Sequence, residues 1–205
     1  MARTGRPRGF NRDAALAGAL NAFWRHGYQA ASLERLREAM GGLSAASFYA
    51  AFGSKEALYR EALARYVATH GRVLDALRDE RLAPRERIER ALRSSVRMQT
   101  DPSHPAGCLV ALSALPGGAD DNALNALTAA ERAANRAAIA ACVRAGIEGG
   151  ELRPETNPTG LATLLEALLL GVSTQIIDGV PARALDGAIT AALVAWDSAR
   201  SHQSV

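Results

Sequence analysis

Lysine is nearly absent from this chain of 205 residues: Lys55 stands alone against twenty-three arginines, a compositional habit with no functional content of its own. Cysteine is almost as scarce. Cys108 and Cys142 are too few for a disulfide framework, which fits a reducing cytoplasm. No run alternates as a half-buried strand does, so a sheet is not expected. The start lacks a charged n-region followed by an apolar h-region, so no secretory signal is expected. The most apolar stretch, Leu161 to Ile177, is interrupted by Glu166 and closed by Asp178, and reads as too short and too marked for a membrane span. There is no glycine-rich phosphate loop, no HExxH and no GxSxG. The carboxylates are scattered over helix surfaces. Neither a catalytic set nor a cofactor is expected, and the chain does not read as an enzyme.

What is present is a globular composition, 48% hydrophobic and 22% charged, with charge unevenly placed. Residues 1–60 hold nine Lys/Arg against four Asp/Glu, a net of +5. The remainder holds fifteen against seventeen, a net of −2. A basic front on a slightly acidic body implies that only the front meets a polyanion. Residues 1–11, MARTGRPRGFN, carry Arg3, Arg6 and Arg8 around glycine and proline. Such an arm can follow a DNA minor groove, or be a solubilising tail.

The most informative stretch is Ser32 to Lys55, SLERLREAMGGLSAASFYAAFGSK. Ser32 is placed to cap a helix to Met40, with Leu33, Leu36 and Met40 on one face, and Gly41-Gly42 stops it. Ser44 caps a second helix, Ala45 to Phe52, whose Phe48 and Phe52 share a face while Ala46, Ser47, Tyr49 and Ala50 turn away. Gly53 ends it and Ser54 caps the next. Two short helices across a glycine-bearing turn make a helix-turn-helix, whose second helix usually reads the DNA major groove.

Asn11 is placed to cap a preceding helix through His26, ended by Gly27. A long helix is expected from Lys55 toward Asp79 and a fifth from Ala83-Pro84, with a break at residues 101–105. Then come a short apolar segment Gly107 to Leu115, a Pro116-Gly117-Gly118 loop and an alanine-rich seventh helix from Asp120 to Glu148. An eighth helix over Thr159 to Asp178 is apolar almost all round, and a ninth runs from Ala182 to Ala199. The expected fold is all-α with nine helices, divided into an arm plus three-helix unit at 1–54 and a larger body at 55–205.

This order, with Gly27-Tyr28, Ser32-Leu33, Gly41, Leu43-Ser44, Ser47-Phe48-Tyr49, Phe52 and Gly53-Ser54-Lys55-Glu56-Ala57-Leu58, resembles the TetR/AcrR family of bacterial transcription regulators. The specific match covers roughly residues 10–60; the body matches in helix order and length. The resemblance implies a homodimer through helices eight and nine, a small-molecule cavity among helices four to eight, and repression of operator DNA that the ligand relieves. Carried over, Tyr49 and Lys55 contact phosphates, Ser32 and Ser44 sit at phosphate-favouring helix starts, and Ala45, Ala46, Ser47 and Ala50 face bases. Leu165, Leu169, Val172, Ile189, Leu193 and Trp196 become the dimer interface.

The chain departs from the family where it has Ala31 at the start of helix two, Ala45-Ala46 before Ser47 and Ala50-Ala51 after Tyr49. Such a helix offers bases few hydrogen bonds, though alanine can touch a thymine methyl. DNA contact is therefore expected to lean on Arg6, Arg8, Arg35, Arg37, phosphates and DNA shape. Tyr66, His70, Met98, Cys108, Leu112 and Gln175 are the cavity candidates, each more often plain core. With few buried charges expected there, the effector reads as apolar or aromatic. His104 and Cys108, four apart, suit a metal or an activated thiol, but a buried cysteine beside a loop histidine is the commoner reading, and no metal is expected. The rival class is an all-α carrier or enzyme with a vestigial helix-turn-helix; within the favoured class an activator is the alternative to a repressor.

Overall fold

The computed structural model describes residues 11–113 and 122–201. Arg3, Arg6, Arg8, Leu115 and the Pro116-Gly117-Gly118 loop lie outside the described residues. Among the described residues the chain is all-α, with nine α-helices, one 3₁₀ stretch and an isolated bridge between Leu152 and Arg200. By contact it divides into two compact units, Met1–Arg65 and Tyr66–Val205.

The first unit holds α1 (Arg12–Ala30), α2 (Leu33–Ala39), α3 (Ala45–Phe52) and α4 (Lys55–Ala68) up to Arg65. Four side chains cap these helices locally. Asn11 Oδ1, Ser32 Oγ, Ser44 Oγ and Ser54 Oγ accept from the N–H groups of Ala14, Arg35, Ser47 and Ala57 at 3.0–3.2 Å. Each cap satisfies one of the orphan donors of a helix start, worth about 1 kcal/mol. Gly27, at φ 72°, breaks the regular course of α1, and one further turn follows it. Leu36, Phe48 and Leu58 are fully buried, and Phe23 meets Tyr59 edge to face at 5.1 Å between centroids. Gly18 lets α1 and α2 touch: a Cβ there would stand 2.0 Å from the Ala39 carbonyl oxygen. Arg65 pairs with Asp13, and Arg12 with Glu61 at 2.8 Å.

α4 stops at Ala68, short of the expected Asp79; residues His70–Arg78 continue as the 3₁₀ stretch. The non-helical Thr69 (φ −120°, ψ −80°) and the nearby Gly71 are weak helix formers, and they interrupt the ladder there. The second unit then runs through α5 (Pro84–Gln99), α6 (Leu109–Leu112), α7 (Asn122–Glu148), α8 (Pro158–Ile177) and α9 (Ala182–Asp197). Its core joins Ile88, Leu92 and Val96 of α5 to Ile139 and Val143 of α7, with Leu165 of α8 and Leu185 of α9. Each such buried aliphatic side chain contributes about 1.5–3 kcal/mol. α8 is long and apolar enough, by length and composition, to cross a membrane, contrary to the expectation from Leu161–Ile177. Its inner face is instead committed to this core, through Ala162, Leu165, Leu169 and Val172.

Leu165, Leu169, Val172, Ile189, Leu193 and Trp196, expected at a subunit interface, are at most 9% exposed in the chain's own core. The outward faces of the same helices carry Leu164, Ile177 and Val194, each about half exposed. Both faces of α8 are apolar. Spacing therefore singles out an apolar row without saying which neighbour covers it.

Candidate nucleic-acid interface and body cavity

α3 is a short helix with two different faces. Phe48 and Phe52 turn inward and are buried. Ser44, Ala45, Ala46, Ser47, Tyr49 and Ala50 are exposed, Tyr49 by 53%. The outward surface is small and flat apart from the Tyr49 ring, which leans edge-on against Phe48 at 5.3 Å. Ser44 Oγ also donates to Ser47 Oγ at 2.9 Å. The Ser44 and Ser47 hydroxyls are thus engaged with each other at the cap of α3. The start of α3 leaves N–H groups unpaired within the helix, and the helix dipole favours an anion there.

Around α3 the basic residues divide into tied and outward groups. Arg37 Nε donates to the Leu43 carbonyl at 2.6 Å, clamping the turn between α2 and α3. That bond engages one of the five guanidinium N–H donors of Arg37, whose side chain is half-buried. Lys55 lies with its ammonium 4.4 Å from the Tyr28 ring centroid and donates to the Gln29 carbonyl at 3.4 Å. Arg35 and Ser32 are exposed on the first turn of α2.

The body holds a cavity of about 120 Å³, comparable to one that holds a benzene ring. Of the six residues expected there, Tyr66, Met98 and Cys108 line it. His70, Leu112 and Gln175 do not appear in its described wall. His70 instead lies against the Tyr66 ring at 5.7 Å and meets His104 edge-on at 4.6 Å. Gln175 is on the exposed side of α8. Tyr66 Oη donates to Cys108 Sγ at 3.1 Å, and burial, then the nearby thiol, pushes the phenol well above its ordinary value, so it stays a donor. Among the described residues no group of three metal-ligating side chains forms around His104 and Cys108. Cys142 is buried, donates to the Leu77 carbonyl at 3.1 Å and has its thiol pushed up by burial, which makes it unreactive.

The cavity wall is largely apolar, with charged and polar side chains set into it. Val73, Leu74, Val110, Leu169 and Leu170 supply the apolar part. Asp75, Arg78, Glu131, Arg132, Asn135 and Glu166 stand among them. Glu166 is only 3% exposed; its Oε2 accepts from Arg136 Nη1 at 2.6 Å. A buried relay runs from α8 to α5 behind the wall residues Gln99 and Ser95: Ser173 Oγ donates to Gln99 Oε1 at 2.7 Å, and Gln99 Nε2 to Ser95 Oγ at 2.8 Å. No motif marks Gln99 or Ser95 as cavity residues; the sequence signal for Glu166 is a lone carboxylate inside the most apolar helix.

The profile of the tetR family of bacterial regulatory proteins matches residues 15–62, the region of α1 to α4. The tetracyclin repressor-like C-terminal domain matches residues 84–191. The chain is 30% identical over 179 residues to the HTH-type transcriptional repressor ComR of Escherichia coli K12, covering 85% of this chain and 83% of that protein. It is 36% identical over 107 residues to the repressor BdcR of the same organism, about half of each chain. Among solved structures, a cysteine mutant of the TetR family regulator CifR, complexed with 26bp double-strand operator DNA, is 42% identical and superposes with a TM-score of 0.86. The match covers 93% of this chain and all of that one. The reduced form of E. coli NemR, 22% identical with a TM-score of 0.72, shares the fold.

Proposed function

The chain belongs to the TetR family of DNA-binding transcriptional regulators, and from that premise we propose a dimeric, cytoplasmic repressor whose α1–α3 head binds a palindromic operator and whose body cavity takes the small molecule that releases it. The observation that carries the reading is the two-faced α3: anchored inward by Phe48 and Phe52, capped by Ser44, and bare outward from Ala45 to Ala50. Small side chains let the backbone approach the groove floor, while Tyr49 and the amide-bearing starts of α2 and α3 reach phosphates.

On this reading Ala45, Ala46, Ser47 and Ala50 touch base edges, and Ser32, Ser44, Tyr49, Lys55 and Arg35 position the head, with Arg6 and Arg8 in the adjacent minor groove. Two-fold symmetry supplies the second head. The outward faces of α8 and α9, with Leu164, Ile177 and Val194, are the surface for the partner subunit. Release is a population shift: the effector binds better to a state whose heads are mis-spaced for successive grooves.

The reading is tested by fluorescence anisotropy with duplex DNA from upstream of the chain's own coding region, across a salt series. Replacing Arg6 and Arg8 by alanine is expected to weaken binding and to lower the salt slope by about 2, close to one unit per lost phosphate contact. Tyr49→Phe is expected to weaken binding on all duplexes alike. An unchanged slope removes the arm from the reading. Failure to prefer any duplex favours the rival carrier or enzyme.

A further inference from the structure

Glu166 Oε1 is a buried side-chain oxygen without a hydrogen-bond partner, and its residue lines the body cavity. Leaving a buried acceptor unmet costs about 1–3 kcal/mol, more for a charged group. A carboxylate held this deep is retained only where something satisfies it or where it has work to do. Its other oxygen already has its partner in Arg136, which reaches it from α7 with a side chain 46% exposed. The pair is therefore neutral as a whole. A cation brought to Oε1 would add a charge the buried pair does not need, at a desolvation cost. A neutral donor adds only the missing bond. Water can meet the same need, and a ligand that displaces it keeps its affinity only by reproducing the donated bond.

The rest of the wall sets the size and body of such a ligand. Leu74, Met98, Leu169 and Leu170 offer an apolar surface around a space of about 120 Å³, on the order of the cavity that takes a single benzene ring. The geometry points to Glu166 as the specificity-determining residue of the body cavity, accepting a hydrogen bond through Oε1 from a neutral hydroxyl or N–H group on a ring-sized, otherwise apolar effector. This rests on the reading of the cavity as the effector site, and it names the chemistry that the site selects.

Four probes of similar size separate the possibilities in calorimetric titrations of the full chain: phenol as neutral donor, toluene as its apolar counterpart, benzaldehyde as acceptor, and benzylamine as cation. Phenol is expected to bind at least about tenfold tighter than toluene, the range of one hydrogen bond to a charged group. In Glu166→Gln the amide oxygen takes over the bond from Arg136 and its NH₂ faces the vacancy. Phenol's advantage should then collapse and benzaldehyde should gain. Equal binding of phenol and toluene by the unaltered chain overturns the inference without any variant, as does a preference that Glu166→Gln leaves in place. Benzylamine binding tenfold tighter than phenol overturns the neutral-donor assignment. If none of the four binds at millimolar concentration, the cavity is not a ligand site and the inference falls with it. Operator release is read separately. Probes that bind with the expected preference but leave DNA affinity unchanged contradict the effector reading while the Glu166 assignment stands.

Discussion

The head and the body place their polar groups differently. In the head, the helix-capping side chains act close to home, and the longer-range pairs Arg12–Glu61 and Arg65–Asp13 stay at its surface. Asn11, Ser32, Ser44 and Ser54 each cap a helix three residues ahead, at the surface. In the body they act across the chain and inside it. Ser173 reaches Gln99, seventy-four positions away, and Arg136 reaches Glu166, thirty away. Local caps fix a rigid shape that DNA can read from outside. Long-range buried pairs fix a cavity whose chemistry exists only once five helices have come together. The chain's two tryptophans make the contrast measurable, since Trp24 is buried in the head and Trp196 in the body.

The largest break in this contrast comes from Gly18→Ala. Its new Cβ would meet the Ala39 carbonyl oxygen at 2.0 Å, a backbone atom that cannot swing aside. A destabilisation of about 3 kcal/mol or more is expected, confined to the Trp24 fluorescence transition in denaturant, with loss of DNA binding. A matching shift in the Trp196 transition would show that the two regions do not unfold separately. Arg136→Ala is the body's counterpart. It strands the Glu166 carboxylate, and because Arg136 is half exposed the cost falls near the low end for broken buried pairs, about 2–3 kcal/mol on the Trp196 transition. Trp24 should not respond.

Ser44→Ala removes the cap of α3 and its bond to Ser47. About 1 kcal/mol of head stability should disappear, with weaker DNA binding and unaltered binding of probes in the body. The smallest effect is with acid. A hydrogen bond from Arg81 holds the Asp79 carboxyl at about 2, below its ordinary value near 3.9 in the unfolded chain. Since the folded value is depressed, this contribution is fully present above about pH 4 and is lost as pH falls toward 2. The pair is exposed, so Asp79→Asn should flatten the acid limb of the Trp196 transition only slightly and leave neutral stability nearly unchanged.

The same contrast explains what was legible in the sequence. The boundaries of α3 at Ala45 and Phe52 follow from Ser44, Gly53 and the Phe48/Phe52 pair, all within ten residues. The outward Ala-Ala-Ser-Tyr-Ala surface could be read from the same stretch. The long helix expected past Ala68 failed for a local reason, because Thr69 and Gly71 weigh more than the apolar spacing that continues beyond them. The cavity depends on non-local packing: Tyr66, Met98 and Cys108 line it, whereas Gln175 lies on the exposed side of α8, and which way a side chain faces on a helix apolar all round depends on neighbours far away in sequence. The interface residues show it most plainly: Leu165 and Trp196 form one of two apolar faces, and the intrachain core took that one. Glu166 ran against its local pattern, a carboxylate among leucines, and such conflicts collect at functional sites.

Sequence-selective reading by the bare outward face of α3 is tested most directly by competition anisotropy. A labelled duplex from upstream of the chain's own coding region is challenged with unlabelled copies of itself and with a scrambled duplex of equal composition, at one fixed salt concentration. The expected result is a preference of at least about a thousandfold for the native sequence. Replacing Ala46 with glutamate, which sets a carboxylate against the groove while leaving Phe48 and Phe52 in place, should abolish it. Equal competition by the two duplexes, or a preference untouched by the glutamate, would contradict it.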